Sequence, residues 1–230
     1  METLESYKEG KVLLIDKPLN WTSFQVVNKI RWLIKQQFGI KKIKVGHAGT
    51  LDPLATGLLI LCTGKFTKKI ETYQAQVKEY TGTITLGATT PSFDLETEVD
   101  NTFDTSNLSE NEILENTQHF LGEIQQQPPV FSALKKDGKR LYEYAREGEK
   151  VEIPKRTVTI SEFEITKIDL PNVKFRVVCS KGTYIRSLAH DFGKKLNNGA
   201  HLSELRRTKI GDFSVKNAVG VLEFEEAFKA

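Results

Sequence analysis

Asp52 is the side chain of this sequence best placed to do chemistry. It is the only acid between Asp16 and Glu71, and its neighbours Gly49, Thr50, Leu51, Pro53, Leu54 and Ala55 are small or apolar. A carboxylate in such surroundings can serve as a nucleophile. Pro53 restricts the backbone of Asp52 to extended conformations, so its side chain is held rather than free to sample a helix. Asp-Pro pairs are also frequent turns. On these residues alone, a turn aspartate bonding its own backbone is the simpler reading.

Other chemistries are poorly supplied. A phosphate-binding loop needs G-x-x-x-x-G-K-[ST], whereas six residues separate Gly57 from Gly64 and Phe66 follows Lys65. His47, His119, His190 and His201 show no H-E-x-x-H spacing, and Cys62 and Cys179 lie far apart in the chain. No metal-ligand set is therefore spelled out. No G-x-S-x-G elbow offers a serine nucleophile.

The segments around Asp52 must position it. Lys11 to Ile15 reads as a strand that stops at the turn Asp16-Lys17-Pro18. Thr22 or Ser23 caps a helix in which Val26, Val27, Ile30, Leu33, Ile34 and Phe38 keep helical spacing, and Gly39 ends it. Lys41 to Gly57, with Gly46, Gly49, Pro53 and Gly57, predicts a loop. Leu58 to Cys62 predicts a buried strand, Thr67 to Gln76 a short helix, and Lys78 to Thr89 a half-buried strand with Tyr80, Gly82, Ile84 and Leu86 on one face.

Further along, Ser109 with Glu112 forms a capping box for a helix to Leu121, closed by Gly122. A short helix follows at Leu141 to Glu147, then strands at Val158 to Ile168 and Val173 to Cys179. Thr183 to Leu196 predicts a helix, Leu202 to Arg207 a short helix or turn, and the neighbourhood of Phe213 a last strand. Strands and helices mix without regular βαβ alternation, which favours the α+β class.

Net charge hides an asymmetry. The total is +3, yet Thr81 to Leu134 holds nine acids and no Lys or Arg, leaving a balance of +12 on the rest of the chain. Such a pattern suggests a basic surface with an acidic lobe turned away from it, and keeps a polyanionic partner open. The longest apolar run, Leu58 to Cys62, is far short of the ~20 residues of a membrane span. Glu2, Glu5 and Glu9 leave no signal-peptide pattern at the start. Both cysteines lie in apolar runs and read as reduced core residues. A cytoplasmic protein is expected.

The run KVGHAGTLDPLATGLL, Lys44 to Leu59, resembles the signature of TruB-type tRNA pseudouridine synthases, which modify the T-loop uridine at tRNA position 55. Further segments match in the family's order: Asp16-Lys17-Pro18 with Thr22-Ser23, Lys78 to Tyr80, Pro128-Pro129 through Ser132-Ala133-Leu134-Lys135, Leu141-Tyr142 with Ala145-Arg146, Lys181 to Arg186, and Leu205-Arg206-Arg207-Thr208. The resemblance spans roughly residues 9 to 215 and reverses the odds on Asp52.

The resemblance implies a pseudouridine synthase fold: a central mixed, mainly antiparallel sheet with flanking helices and a cleft across it. Asp52 is then the catalytic nucleophile, Arg186 the cation that keeps it charged, and Tyr80 the aromatic that stacks on the flipped uracil and takes part in proton removal. Tyr184 forms a second aromatic wall and Leu205 packs under the base. Lys17 lies near the pocket, and His47 helps hold the rearranged T loop. Lys68, Arg206 and Arg207, with Lys65, Lys69, Lys209 and the stretch Lys135 to Arg140, supply phosphate-facing charge.

No cofactor or metal is implied. The expected partner is the tRNA T arm, bound by a monomer, with residues 94 to 123 away from the cleft. The catalytic domain is expected over 1–212, with 213–230 a short remnant in place of the C-terminal PUA domain of many relatives. Asn20 replaces a usual Gly and is expected to keep φ > 0; Thr97 also replaces a Gly. An RNA chaperone without chemistry and a base glycosylase are the competing functions.

Overall fold

A computed structural model describes residues 3–132, 134–149 and 151–228; Ala133 of the matched segment lies outside them. The chain forms two compact units, one built from residues up to Tyr80 and from Leu205 onward, the other from Thr81 to Glu204.

The first unit begins with α1 (Leu4–Glu9), β1 (Val12–Lys17), α2 (Ser23–Phe38), β2 (Val45–His47), β3 (Ala55–Thr63), α3 (Ile70–Ala75) and the start of β4 (Lys78–Leu86). Thr22 caps α2, its hydroxyl accepting from the Gln25 amide while Gln25 returns a bond to the Thr22 amide. Gly39 closes the helix at φ +59, the left-handed geometry that glycine adopts without steric cost. The α2 stripe Val26, Val27, Ile30, Leu33 and Ile34 is buried against Ile15, Leu59 and Leu61. Each such side chain contributes about 1.5–3 kcal/mol of burial. The opposite face of β3 buries Leu58, Ile60 and Cys62 with Ala48 and Ile210. Two-sided burial explains why β3 reads as a continuous apolar run.

In the second unit follow β5 (Ala88–Thr89), β6 (Asn101–Thr102), α4 (Glu110–Asn116), β7 (Gly122–Gln126), β8 (Lys135–Lys136), β9 (Lys139–Arg140), α5 (Leu141–Arg146), β10 (Arg156–Asp169), β11 (Asn172–Cys179), α6 (Ile185–Lys195) and the start of β12 (Ala200–Ile210). Its sheet runs β12–β4–β11–β10–β7. Phe120, Phe163, Phe175 and Phe192 fill its core with edge-to-face and tilted ring contacts. The Ser109–Glu112 capping box forms as expected. The α-helix ends at Asn116, however, and a single 3-10 turn carries the chain to Phe120. Gly122, at φ +84, opens β7 instead of closing a helix.

After β12 the chain completes the first unit with β13 (Phe213–Ser214), β14 (Val219–Gly220) and α7 (Val221–Ala227). There the sheet runs β14–β1–β3–β12, with β2 on β3 and β13 on β12. Pairing mixes directions: β1 with β3 is antiparallel, while β14 with β1 and β12 with β3 are parallel.

Two further sequence expectations fail locally. Residues 202–207 form strand, not a helix or turn, because Leu205, Arg206 and Arg207 pair with Ala55, Thr56 and Gly57. The helix-forming character of Ser-Glu-Leu-Arg-Arg is overridden by that ladder. Likewise the expected loop 41–57 contains β2, whose Val45 and His47 pair with Thr63 and Leu61.

Candidate active site

Asp52 occupies the first position of a turn. The Ala55 amide donates to the Asp52 carbonyl at 3.1 Å, and Pro53 takes the second place, where its fixed φ fits. The bland turn reading is therefore true of the backbone, while the side chain stays half-buried rather than fully solvated.

Every neighbour of that turn is anchored. Ser23 Oγ accepts from the Leu51 amide at 2.8 Å and donates to the Leu51 carbonyl at 3.0 Å, in a buried pair. The Pro53 carbonyl accepts from the Asn20 amide at 2.9 Å and from Lys17 Nζ at 3.3 Å. Asn20 has φ +64, so it supplies the left-handed turn residue that Gly supplies elsewhere. On the other flank, Arg207 donates from Nη2 to the Gly49 carbonyl at 3.1 Å, from Nη1 to Thr50 at 3.5 Å, and from Nε to Leu58 at 2.8 Å.

These partners place several expected residues in new roles. Lys17 is fully buried, and Nζ also bonds the carbonyls of Trp21 at 2.6 Å and Pro18 at 2.9 Å. Burial lowers its pKa to about 8, opposed by the Asp52 carboxylate and assisted by the Arg207 charge. Arg207, expected to face phosphates, is 1% exposed and spends its nitrogens on main-chain carbonyls. A guanidinium so enclosed is not part of a surface track. Arg206 forms a two-pronged pair with Asp16, Nη2 to Oδ2 at 2.6 Å and Nη1 to Oδ1 at 3.1 Å. Lys209 pairs with Glu79 and Lys65 with Glu9. Lys68 remains exposed, as do Lys135 and Arg140.

His47 lies on β2, and burial, then the Arg207 charge, holds its imidazole below the ordinary value, so the ring is neutral at pH 7. Tyr80 is buried in β4, and Leu205 is half-buried opposite Ala55. The first unit thus carries Asp52, Lys17, His47, Tyr80, Leu205, Lys68, Arg206 and Arg207.

Arg186 and Tyr184 belong to the second unit. Tyr184 precedes α6; its amide donates to Gln126 Oε1 at 2.8 Å, and Gln126 Nε2 returns a bond to its carbonyl at 3.0 Å. The Arg156 guanidinium lies 5.2 Å from its ring centre. Arg186 is buried on the first turn of α6, with Nε 3.5 Å from Asp94 Oδ2 and Nη1 donating to the Ser92 carbonyl at 3.2 Å. Asp94 is buried too, and accepts from the Glu96 amide at 3.0 Å. The first acid of the acidic stretch is therefore an internal counter-charge, not part of an outward lobe.

Ser23, Asp16 and Asp94 went unread as site residues. Thr22 and Ser23 are both capping types, and one helix needs one cap; the spare hydroxyl was a signal. Asp94 is paired with a residue 92 positions away in sequence, which short-range chemistry does not reveal.

Residues 35–185 match the model of the TruB family pseudouridylate synthase N-terminal domain, and residues 186–230 match a tRNA pseudouridylate synthase B C-terminal domain. A Flavobacterium johnsoniae protein named tRNA pseudouridine synthase B is 65% identical over 99% of this chain and all of its own length. One of the same name from Phocaeicola vulgatus is 58% identical over 96% of this chain and 94% of its own.

Among solved structures, a chain in the crystal structure of a Cbf5–Nop10–Gar1 complex superposes with a TM-score of 0.73 at 31% identity, covering 98% of this chain. This chain spans 56% of that longer one. The fold and family match define a pseudouridylate synthase, an isomerase. Within that class the chain belongs to the TruB family.

Proposed function

We propose that this protein converts a uridine of tRNA, the T-loop uridine at position 55, into pseudouridine, with Asp52 as nucleophile and Tyr80 and Arg186 completing the catalytic set. The observation that carries the reading is the anchored turn: Leu51, Pro53, Gly49 and Thr50 are each tied by a side chain or amide from outside the loop. A nucleophile held this way needs little reorganisation to reach its target. Full-length likeness to proteins named tRNA pseudouridine synthase B supports the substrate.

In the reaction the bond from ribose C1′ to uracil N1 breaks, the base turns in place, and C5 joins C1′. C5 loses its proton and N1 gains one, so the product is an isomer. Asp52 attacks the ribose, assists glycal formation, or adds to the uracil ring; the anchored geometry serves each route. The Tyr80 hydroxyl is the group offered for proton removal. The protein acts as a cytoplasmic monomer on the tRNA T arm, with the exposed Lys68, Lys135 and Arg140 contributing charge toward phosphates.

Tritium release from a tRNA transcript carrying 5-tritiated uridine, with product analysis, tests the proposal. Release with pseudouridine at position 55 is expected. Free uracil identifies a base glycosylase, and binding without release identifies an RNA chaperone; either result overturns the reading.

A further inference from the structure

Strand register sets Lys17, Gly57 and Arg207 on one rung of the first unit's sheet. Lys17 faces Gly57 across β1 and β3, and Gly57 faces Arg207 across β3 and β12. Side chains on a rung share a face, and Gly57 contributes none. Gly57 also has φ +102, and a Cβ there would meet the Arg207 carbonyl oxygen at 2.3 Å. The missing side chain lets the backbones close up and leaves two long cations on that face. Lys17 reaches the carbonyl that follows Asp52, and Arg207 reaches those of Gly49 and Thr50 before it. The Lys17 ammonium responds to both Asp52 and Arg207, which puts the three charges in one neighbourhood.

We propose that Arg207 is a positioning residue for Asp52: its guanidinium clamps the main chain at Gly49, Thr50 and Leu58 and so fixes the loop that carries the carboxylate. This rests on Asp52 being the nucleophile. Arg207 needs no contact with RNA for this role. Nε, Nη1 and Nη2 each take a different carbonyl, a distribution that the fixed fork of a five-donor guanidinium provides.

Full-length Arg207→Lys and Arg207→Gln variants, with Asp52→Asn alongside, separate the possibilities. Folding of the first unit is followed by fluorescence of Trp21 and Trp32, both of which lie in it. Arg207→Gln should lower kcat by about a hundredfold, the scale of a misplaced catalytic group, with KM for tRNA within about threefold. Arg207→Lys keeps the charge and loses donors, so kcat should fall about tenfold with KM for tRNA again within about threefold.

Arg207→Lys with wild-type kcat overturns the proposal, and so does a raised KM with unchanged kcat, which would return Arg207 to phosphate binding. Should Arg207→Gln not fold, the lysine variant decides alone. Turnover by Asp52→Asn would instead overturn the assignment of the nucleophile, a result separable from any result at Arg207.

Discussion

Replacing Ser23 by alanine tests whether the turn before Asp52 is held as described. Ser23 is 2% exposed and Leu51 is 4% exposed, and the Ser23 hydroxyl bonds both the Leu51 amide and its carbonyl. Removing it leaves two buried main-chain groups unpaired, at ~1–3 kcal/mol each. Alanine recovers about 0.5 kcal/mol through better helix propensity in the first turn of α2. The net loss is about 1.5–5.5 kcal/mol.

Urea unfolding followed by tryptophan fluorescence reads this loss in the first unit alone, since both tryptophans lie there. Hydrogen exchange gives a sharper reading: the Leu51 amide should become one of the fastest-exchanging buried amides of the unit. Activity should fall about ten- to a hundredfold as Asp52 loses its fixed neighbour. A stability change under about 0.5 kcal/mol, the range of an ordinary surface substitution, would refute the anchoring argument.

Asp94→Asn should destabilise the second unit by about 1–3 kcal/mol, because it weakens a buried, charge-assisted contact with Arg186; a thermal midpoint equal to wild type would contradict this. Gly57→Ala should abolish folding of the first unit or lower its stability by more than about 3 kcal/mol, since positive φ alone costs about 1–3 and the backbone contact adds to it; circular dichroism and fluorescence check this directly. Lys17 binds its proton less tightly when folded, with a pKa of about 8, than at the ordinary lysine value of 10.5. The unfolded chain therefore holds more protons between those pH values, and the first unit should gain stability as pH rises from about 8 to about 10.5. Below about pH 8 the cost of burying the ammonium is present in full. Lys17→Met should erase that slope; an identical pH dependence in the variant and wild type argues against it.

Local signals in the sequence located most elements and the reactive loop. The capping box at Thr22, the α2 stripe, Gly39 and the apolar run of β3 each follow from short-range chemistry, and they appear where that chemistry puts them. Asp52 stood out because it is a lone acid in a small-residue loop. What escaped was long-range. Residues 202–207 are a strand because β3, some 150 positions earlier, and β4 flank them, and Arg207 changes from a surface cation to a buried clamp for the same reason. Its basic neighbours are likewise taken up by Asp16 and Glu79. Charge counted along the chain overstates what remains free to meet a phosphate backbone.

The central claim is that Asp52 performs the chemistry while its surroundings only hold it. The most direct test is tritium release by Asp52→Asn from 5-tritiated tRNA, measured with tRNA affinity on the same preparation. Asparagine preserves shape and removes the charge. The expected result is no release above background, with affinity within about tenfold of wild type, because one carboxylate contributes little to a phosphate interface. Turnover by Asp52→Asn, or loss of binding in parallel with activity, would contradict the account.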